Sequence, residues 1–231
     1  MYNEWPLGHI PEHLQRPELA QLEAAGYTFD DPRDIVELFE RKVADFAGAS
    51  YAVAVDCCSH GLFLCLKYLK ATGTITVPSH TYVSVPMQIM QAGCSVELTD
   101  EDWTGKYQLK PYPVWDSAIQ WHQGMYQQGL QVVSFQFKKY IPIGRGGMIL
   151  TDDVAAYQWL RKARYDGRDV NVPYIQDDFE FAGWHMYMTP EDAARGILLM
   201  DAKPGNTPER TGRSSYVDLS TKTVFKHNAQ Y

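Results

Sequence analysis

Between residues 31 and 168 the sequence alternates between two hydrophobic periods, and this limits its fold more than any other feature. Residues 31–49 place Ile35, Leu38, Phe39, Val43 and Phe46 at helical spacing, with Asp31 as the cap. Residues 51–56 read as a short apolar strand, and residues 59–73 as a helix closed by Gly73. The strand "TITVPS" follows, then a helix over 83–93 with Pro86 in its first turn, then the strand "SVELTD". Three more strands are predicted at 113–117, at 130–135 and in "GGMILTD", and "DVAAYQWLRKARYDGR" is an amphipathic helix. Strands alternating with helices predict a three-layer α/β/α domain with a mainly parallel central sheet. In such sheets ligands sit beyond the C-terminal strand ends. Polar clusters follow strands at 56–59, 79–82, 116–117 and at Ser134, so neighbouring strands would bring them to one crevice.

A chain of 231 residues suits one or two domains with a sizeable core. The pattern divides it into an N-terminal arm (1–30), a large domain (31–200) and an extension (201–231). The extension is polar, rich in Gly, Pro, Ser and Thr, and has little periodicity. It reads as a loosely ordered tail, of a kind that can reach a neighbouring subunit. A net charge of -7 argues against nucleic-acid binding, which needs a basic face, but leaves room for a local anion pocket. No apolar run has the length of a membrane span, and the first twenty residues lack a secretory pattern, so the expectation is a cytoplasmic protein without a membrane partner. The four cysteines (Cys57, Cys58, Cys65 and Cys94) are too few and too badly spaced for a disulfide framework or a zinc finger. Reduced thiols and no metal are expected.

Several residues carry possible chemistry. In "AVDCCSHG" a strand end meets a helix start, so Ser59 and the amides of His60 and Gly61 would face outward at the positive end of the helix dipole. That suits a phosphate, although Ser59 is equally a plain cap. Asp116 ends an apolar strand, where an acid can bind a protonated ring nitrogen, hold a metal or cap a helix. Tyr82 offers a flat face or a core aromatic, and Ser134 a phosphate donor or a turn. Lys138 and Lys139 lie beyond a strand, where a lysine of lowered pKa can form a Schiff base. Together a lysine, an acid, an aromatic and a serine-rich helix start are what pyridoxal 5'-phosphate (PLP) requires.

At this point the sequence resembles the DegT/DnrJ/EryC1/StrS family of PLP-dependent sugar aminotransferases, over roughly residues 30 to 200. The segments that carry the resemblance are "YAVAVDCCSHGLFLCL", "ITVPSHTYVSVPMQIMQAGCSVELTD", "VWDSA", "VSFQFKKYIPIGRGGMILTDD" and "GWHMYMTPEDAARGILLMD", in the family's order. The resemblance implies the type I aminotransferase fold, with the small C-terminal domain reduced or missing. It implies Lys139 rather than Lys138 as the Schiff-base lysine, because the family's lysine lies five residues after the serine matched by Ser134. It further implies Asp116 at the pyridine nitrogen and Tyr82 against the ring. Ser59, the His60 amide and Ser134 would hold the phosphate, and Tyr187 would reach it from the partner subunit of a homodimer. Gly144, Gly146 and Gly147 match a structural turn, with Arg145 where the family has an acid. Two further departures stand out. Ile119 replaces the usual His or Gln beside the cofactor, with Gln120 next to it, and Tyr187 replaces Arg, Lys or Asn.

The resemblance therefore implies transfer of an amino group from an amino acid, glutamate for preference, to a nucleotide-linked keto-sugar, through an internal aldimine on Lys139. An altered relative that binds cofactor or sugar nucleotide without transamination is the alternative, favoured by Ile119. A sugar dehydratase of the same fold would carry histidine at the lysine position, and Lys139 argues against it.

Overall fold

The computed structural model describes residues 11–202, 205 and 207–226. In chain order the elements are α1 (Glu18–Ala24), α2 (Asp34–Ala47), β1 (Tyr51–Val55), α3 (Cys58–Tyr68), β2 (Thr74–Pro78), α4 (Ser84–Gln91) and β3 (Ser95–Thr99). Then come β4 (Tyr107–Gln108), β5 (Val114–Asp116), β6 (Leu130–Ser134), β7 (Gly147–Thr151), α5 (Val154–Ala163) and α6 (Pro190–Ala202), followed by the short helices α7 (Gly212–Ser215) and α8 (Thr223–Lys226). Among the described residues, no helix is long and apolar enough to cross a membrane.

The main sheet has the order β1-β7-β6-β5-β4, and β2 and β3 form a separate parallel pair. The α/β class is as expected, but the sheet is mixed where a mainly parallel one was predicted. β5 and β6 pair in parallel, whereas β7 runs antiparallel to both β1 and β6, and β4 antiparallel to β5. The reason lies in the connection. Residues 135–146 join β6 to β7 without a helix, so the chain turns back on itself; a parallel return needs a helical crossover. β1, β5 and β6 still run in one sense, so their C-terminal ends share one edge.

Strand alternation explains the three layers. Val53, Val55, Val132 and Ile149 face a cluster with Leu62, Leu64 and Leu66 of α3, Ile89 of α4 and Leu160 of α5. Their sequence neighbours Ala52, Ala54, Val133, Met148 and Leu150 face Ile35, Phe39 and Val43 of α2, Ile197 of α6 and Leu22 of α1. Each of the large side chains is fully buried, a gain of about 1.5–3 kcal/mol apiece. Gly61 lets α3 lie close on the sheet, since a Cβ there would come within 2.7 Å of Val132.

Helix boundaries depart from the sequence reading in detail. α2 starts at Asp34 with Arg33 at the cap position, and Asp31 lies one turn earlier, where its carboxylate accepts from Arg33 N (2.8 Å) as well as pairing with the Arg33 guanidinium. α3 starts one residue before Ser59, with Cys57 at the cap position, and stops at Tyr68, short of Gly73. Part of the expected arm is α1, which packs on α6 through Leu22. The extension departs most. Residues 207–226 are built from capped turns, with Thr211 accepting from Ser214 N and Asp218 from Ser220 N, and they lie across this chain's own surface.

One buried ion pair ties the layers together. Glu40 of α2 and Arg164, at the end of α5, meet beside β1; Glu40 accepts from Ala54 N (2.7 Å) and Arg164 donates to Ala54 O.

Candidate active site

The strand ends that share an edge open into a cleft of about 1070 Å³. Ser59, Tyr82, Asp116, Ser134 and Lys139 all line it, so the predicted convergence of polar clusters is present. β1 and β2 deliver the first two through the turns that follow them, β5 ends on Asp116, and β6 ends on Ser134.

Asp116 is 4% exposed. One carboxylate oxygen accepts from Ala118 N (2.9 Å) and the other from the Tyr107 hydroxyl (2.8 Å). Tyr107 stands opposite Asp116 in the β4–β5 register and is itself hydrogen-bonded to Thr81. Burial pushes the Asp116 carboxyl above its ordinary range, with these two bonds and Lys139 opposing. An acid so placed favours a cationic N–H as its partner.

The two adjacent lysines separate clearly. Lys138 is exposed, with its amine over the Phe137 ring. Lys139 is half-buried and donates from Nζ to the Tyr216 hydroxyl (3.1 Å). Burial pulls the Lys139 amine below its ordinary value, opposed by the charge of Asp116. A lysine so depressed presents more free amine near neutrality, as nucleophilic chemistry requires.

At the start of α3 the Ser59 and Ser84 hydroxyls share a hydrogen bond (2.5 Å). The His60 side chain turns away from the cleft and contacts Asp56 through Nδ1 (2.6 Å), while Arg145 donates to the other oxygen of Asp56 (2.7 Å). The Asp56 bond, with Cys57 next, raises His60 to about 9. Burial alone would raise Asp56, but His60 and Arg145 outweigh it and hold Asp56 below its ordinary value. Donor atoms of Asp56, Cys57 and His60 lie within 4.8 Å of one another, close enough for a metal, yet two cations already satisfy the carboxylate. Gly147 makes room for this corner: a Cβ there would meet Cys58 N at 2.6 Å.

Some sequence expectations fall outside the cleft. Tyr187 packs on Tyr165 and His185, in a second depression of about 290 Å³, away from its own chain's Lys139. Ile119 lines the cleft, and Gln120 does not take over for it, since its amide is engaged by Glu209 and Gln131. Tyr107, Arg210 and Tyr216 belong to the site's surroundings but were missed. The first has a cross-strand signal only, and the other two lie in a stretch without periodicity.

Comparison with known proteins fits this geometry. The model of the DegT/DnrJ/EryC1/StrS aminotransferase family matches residues 18–114. A search of curated proteins finds no match. Among solved structures the chain is similar to AtS13 from Actinomadura melliaura, at 20% identity and a TM-score of 0.68, covering 80% of this chain and 63% of that one. It is also similar to the sugar aminotransferase CalS13 from Micromonospora echinospora, at 17% identity and a TM-score of 0.65, covering 80% and 64%. A GDP-4-keto-6-deoxymannose-3-dehydratase with bound GDP-perosamine aligns at 16% identity and a TM-score of 0.61, covering 80% and 65%. The chain thus spans less than two thirds of each of these structures, and the likeness at these identities is one of fold.

Proposed function

We propose that this relative of the DegT/DnrJ/EryC1/StrS family, with its PLP-dependent transferase fold, is a PLP-dependent aminotransferase that moves an amino group from an amino acid, glutamate for preference, to a nucleotide-linked keto-sugar. The observation that carries the reading is the pairing of a half-buried Lys139 with a buried Asp116 in one cleft. The floor of the cleft carries the groups that the cofactor requires. Asp116, fixed by Tyr107 and Ala118, is the acid for a protonated ring nitrogen. Ser59, Ser134 and the free amides of the first turn of α3, His60's included, suit a phosphate. Tyr82 supplies a flat apolar face.

When bound, PLP supplies an electron sink for negative charge on the substrate carbon. The chain's part is to hold and to move protons. Asp116 keeps the ring nitrogen protonated. Lys139 Nζ would hold the cofactor and, once released, would move a proton from the substrate carbon to the neighbouring cofactor carbon on the same face. Residues 31–200 form the cofactor-binding unit in this reading. Tyr187, outside its own cleft, serves the phosphate of the partner subunit in a homodimer.

The test uses the purified chain with PLP. A visible absorbance band should appear, borohydride should fix the cofactor to Lys139, and glutamate should bleach the band. An adduct on Lys138, or none, sinks the reading. Ile119 on the cleft wall favours a second reading, a cofactor-binding relative without transfer; it predicts the band and the adduct without bleaching.

A further inference from the structure

Residues 207–226 cross the mouth of the cleft as a strap. Arg210 O accepts from Gly105 N (3.0 Å), Gly212 N donates to Trp103 O (3.0 Å), and Leu219 N donates to Ser79 O (3.0 Å). Between these ties the strap drives Tyr216 inward. The Tyr216 ring stacks on Trp103 (centroids 6.1 Å apart, planes at 17°), and its carbonyl accepts from His80 (3.1 Å). Its hydroxyl accepts from Lys139 Nζ, and its ring lies 6.3 Å from the Tyr82 ring at 56°.

This placement conflicts with a flat ligand. A ring that stacks on Tyr82 while bonded to Lys139 must reach both groups at once, and Tyr216 already touches both. A third ring between Tyr82 and Tyr216 needs near-parallel planes about 7 Å or more apart. The observed spacing is shorter and the planes are inclined.

We propose that Tyr216 is a removable plug of the ring pocket: the strap holds it over Lys139, and a flat aromatic phosphate enters only when the strap lifts. The proposal rests on the PLP reading for the identity of that ligand. The ties are of the kind that open locally. The firmer anchors lie at the strap's ends, where Thr207 bonds to Trp121 O, Glu209 accepts from Gln120 (2.9 Å) and Leu219 is buried; between them the Arg213 pairs with Asp100 and Asp102 are exposed and the backbone bonds to the body are isolated bridges rather than a ladder. Once displaced, Tyr216 frees Lys139 from its one side-chain hydrogen bond among the described residues.

The experiment compares the full chain with Tyr216→Ala, Tyr216→Phe and Arg213→Ala, in two arms. The first contains no cofactor: reductive methylation is followed by mass spectrometry at Lys139, with Lys138 as the internal reference. Tyr216→Ala should raise the Lys139 rate roughly fivefold relative to Lys138, and Arg213→Ala should move it the same way at low salt. An unchanged ratio overturns the plug, as does a parallel rise at both lysines. The second arm measures the rate at which borohydride traps PLP on Lys139. Tyr216→Ala should trap faster than the parent chain, while Tyr216→Phe, which keeps the ring in place, should stay close to the parent. Slower trapping in Tyr216→Ala would make Tyr216 a wall of the site and overturn the proposal; so would a Phe variant as fast as Ala. If no protein traps PLP while the methylation ratio rises in Tyr216→Ala, the plug stands and the aminotransferase reading falls.

Discussion

The floor and the roof of the cleft are built by opposite means. The floor is the edge where β1, β5 and β6 end, and its groups are held from beneath: Asp116 by Tyr107 and Ala118, the start of α3 by its fit against Gly147. Buried hydrogen-bonded networks of this kind are rigid and costly to disturb. The roof is the 207–226 strap, anchored at its ends by Thr207, Glu209 and the buried Leu219, but held between them by isolated bridges and exposed ion pairs that contribute little each. Lys139, between them, therefore has fixed neighbours below and, in the proposal above, a removable one on top. Precision and access are assigned to different parts of the molecule.

Four measurements can break or sharpen this contrast. The largest effect belongs to the body beneath the floor. Glu40→Ala leaves Arg164 buried without its partner and should cost about 3–5 kcal/mol in urea unfolding; a loss of the size expected for a surface residue would remove the rigid half of the comparison. Next comes Gly147→Ala, whose methyl would press on backbone atoms of Cys57 and Cys58. Overpacking against backbone should cost about 1–3 kcal/mol, and a neutral substitution would mean that the α3 corner yields.

The third is a pH dependence. His60 is raised from 6.5 to about 9, by its bond to Asp56 first and by Cys57 second. A folded-state value above the unfolded one means that protonation stabilises the fold. The contribution is complete below pH 6.5 and disappears as pH rises through 9. Solvent screening of the half-buried pair reduces it to about 1 kcal/mol. Thermal stability should therefore fall across this window in the parent chain and stay flatter in His60→Gln; equal slopes would count against the pair. The smallest effect is on the roof. Arg213→Ala should lower the unfolding midpoint least of the four, and less still at high salt, and a loss matching Gly147→Ala would put roof and floor on the same footing.

Legibility in the sequence follows the same division. The floor was readable because its residues end elements whose periods are local: the apolar run of residues 130–134 announces β6 and so places Ser134, and "VWD" announces Asp116. The family resemblance, counted from Ser134, implies Lys139 rather than Lys138, and in the structure the two differ in burial and contacts. What could not be read depends on long-range pairing. Tyr107 reaches Asp116 through a two-residue strand too short to carry a period. Glu40 and Arg164 are 124 residues apart. The reversal of β7 depends on the absence of a helix in 135–146, a feature that the strand pattern alone does not weigh. The strap looked like a tail because polar capping turns resemble disorder in composition, and Tyr216 is recognisable only once its target is in place.

The Glu40–Arg164 pair has a consequence beyond stability. β1 lies at the end of the main sheet, with β7 on one side only, and the N–H and C=O of Ala54 bond to Glu40 and Arg164. Asp56 N, further along, donates to Met186 O (2.9 Å). An open strand of valine and alanine is a template on which another chain can build. Here the side chains of Glu40 and Arg164 and the backbone carbonyl of Met186 occupy that template. Breaking the pair would bare a sticky edge, so Glu40→Ala should aggregate as well as unfold, and light scattering should rise before the helices melt.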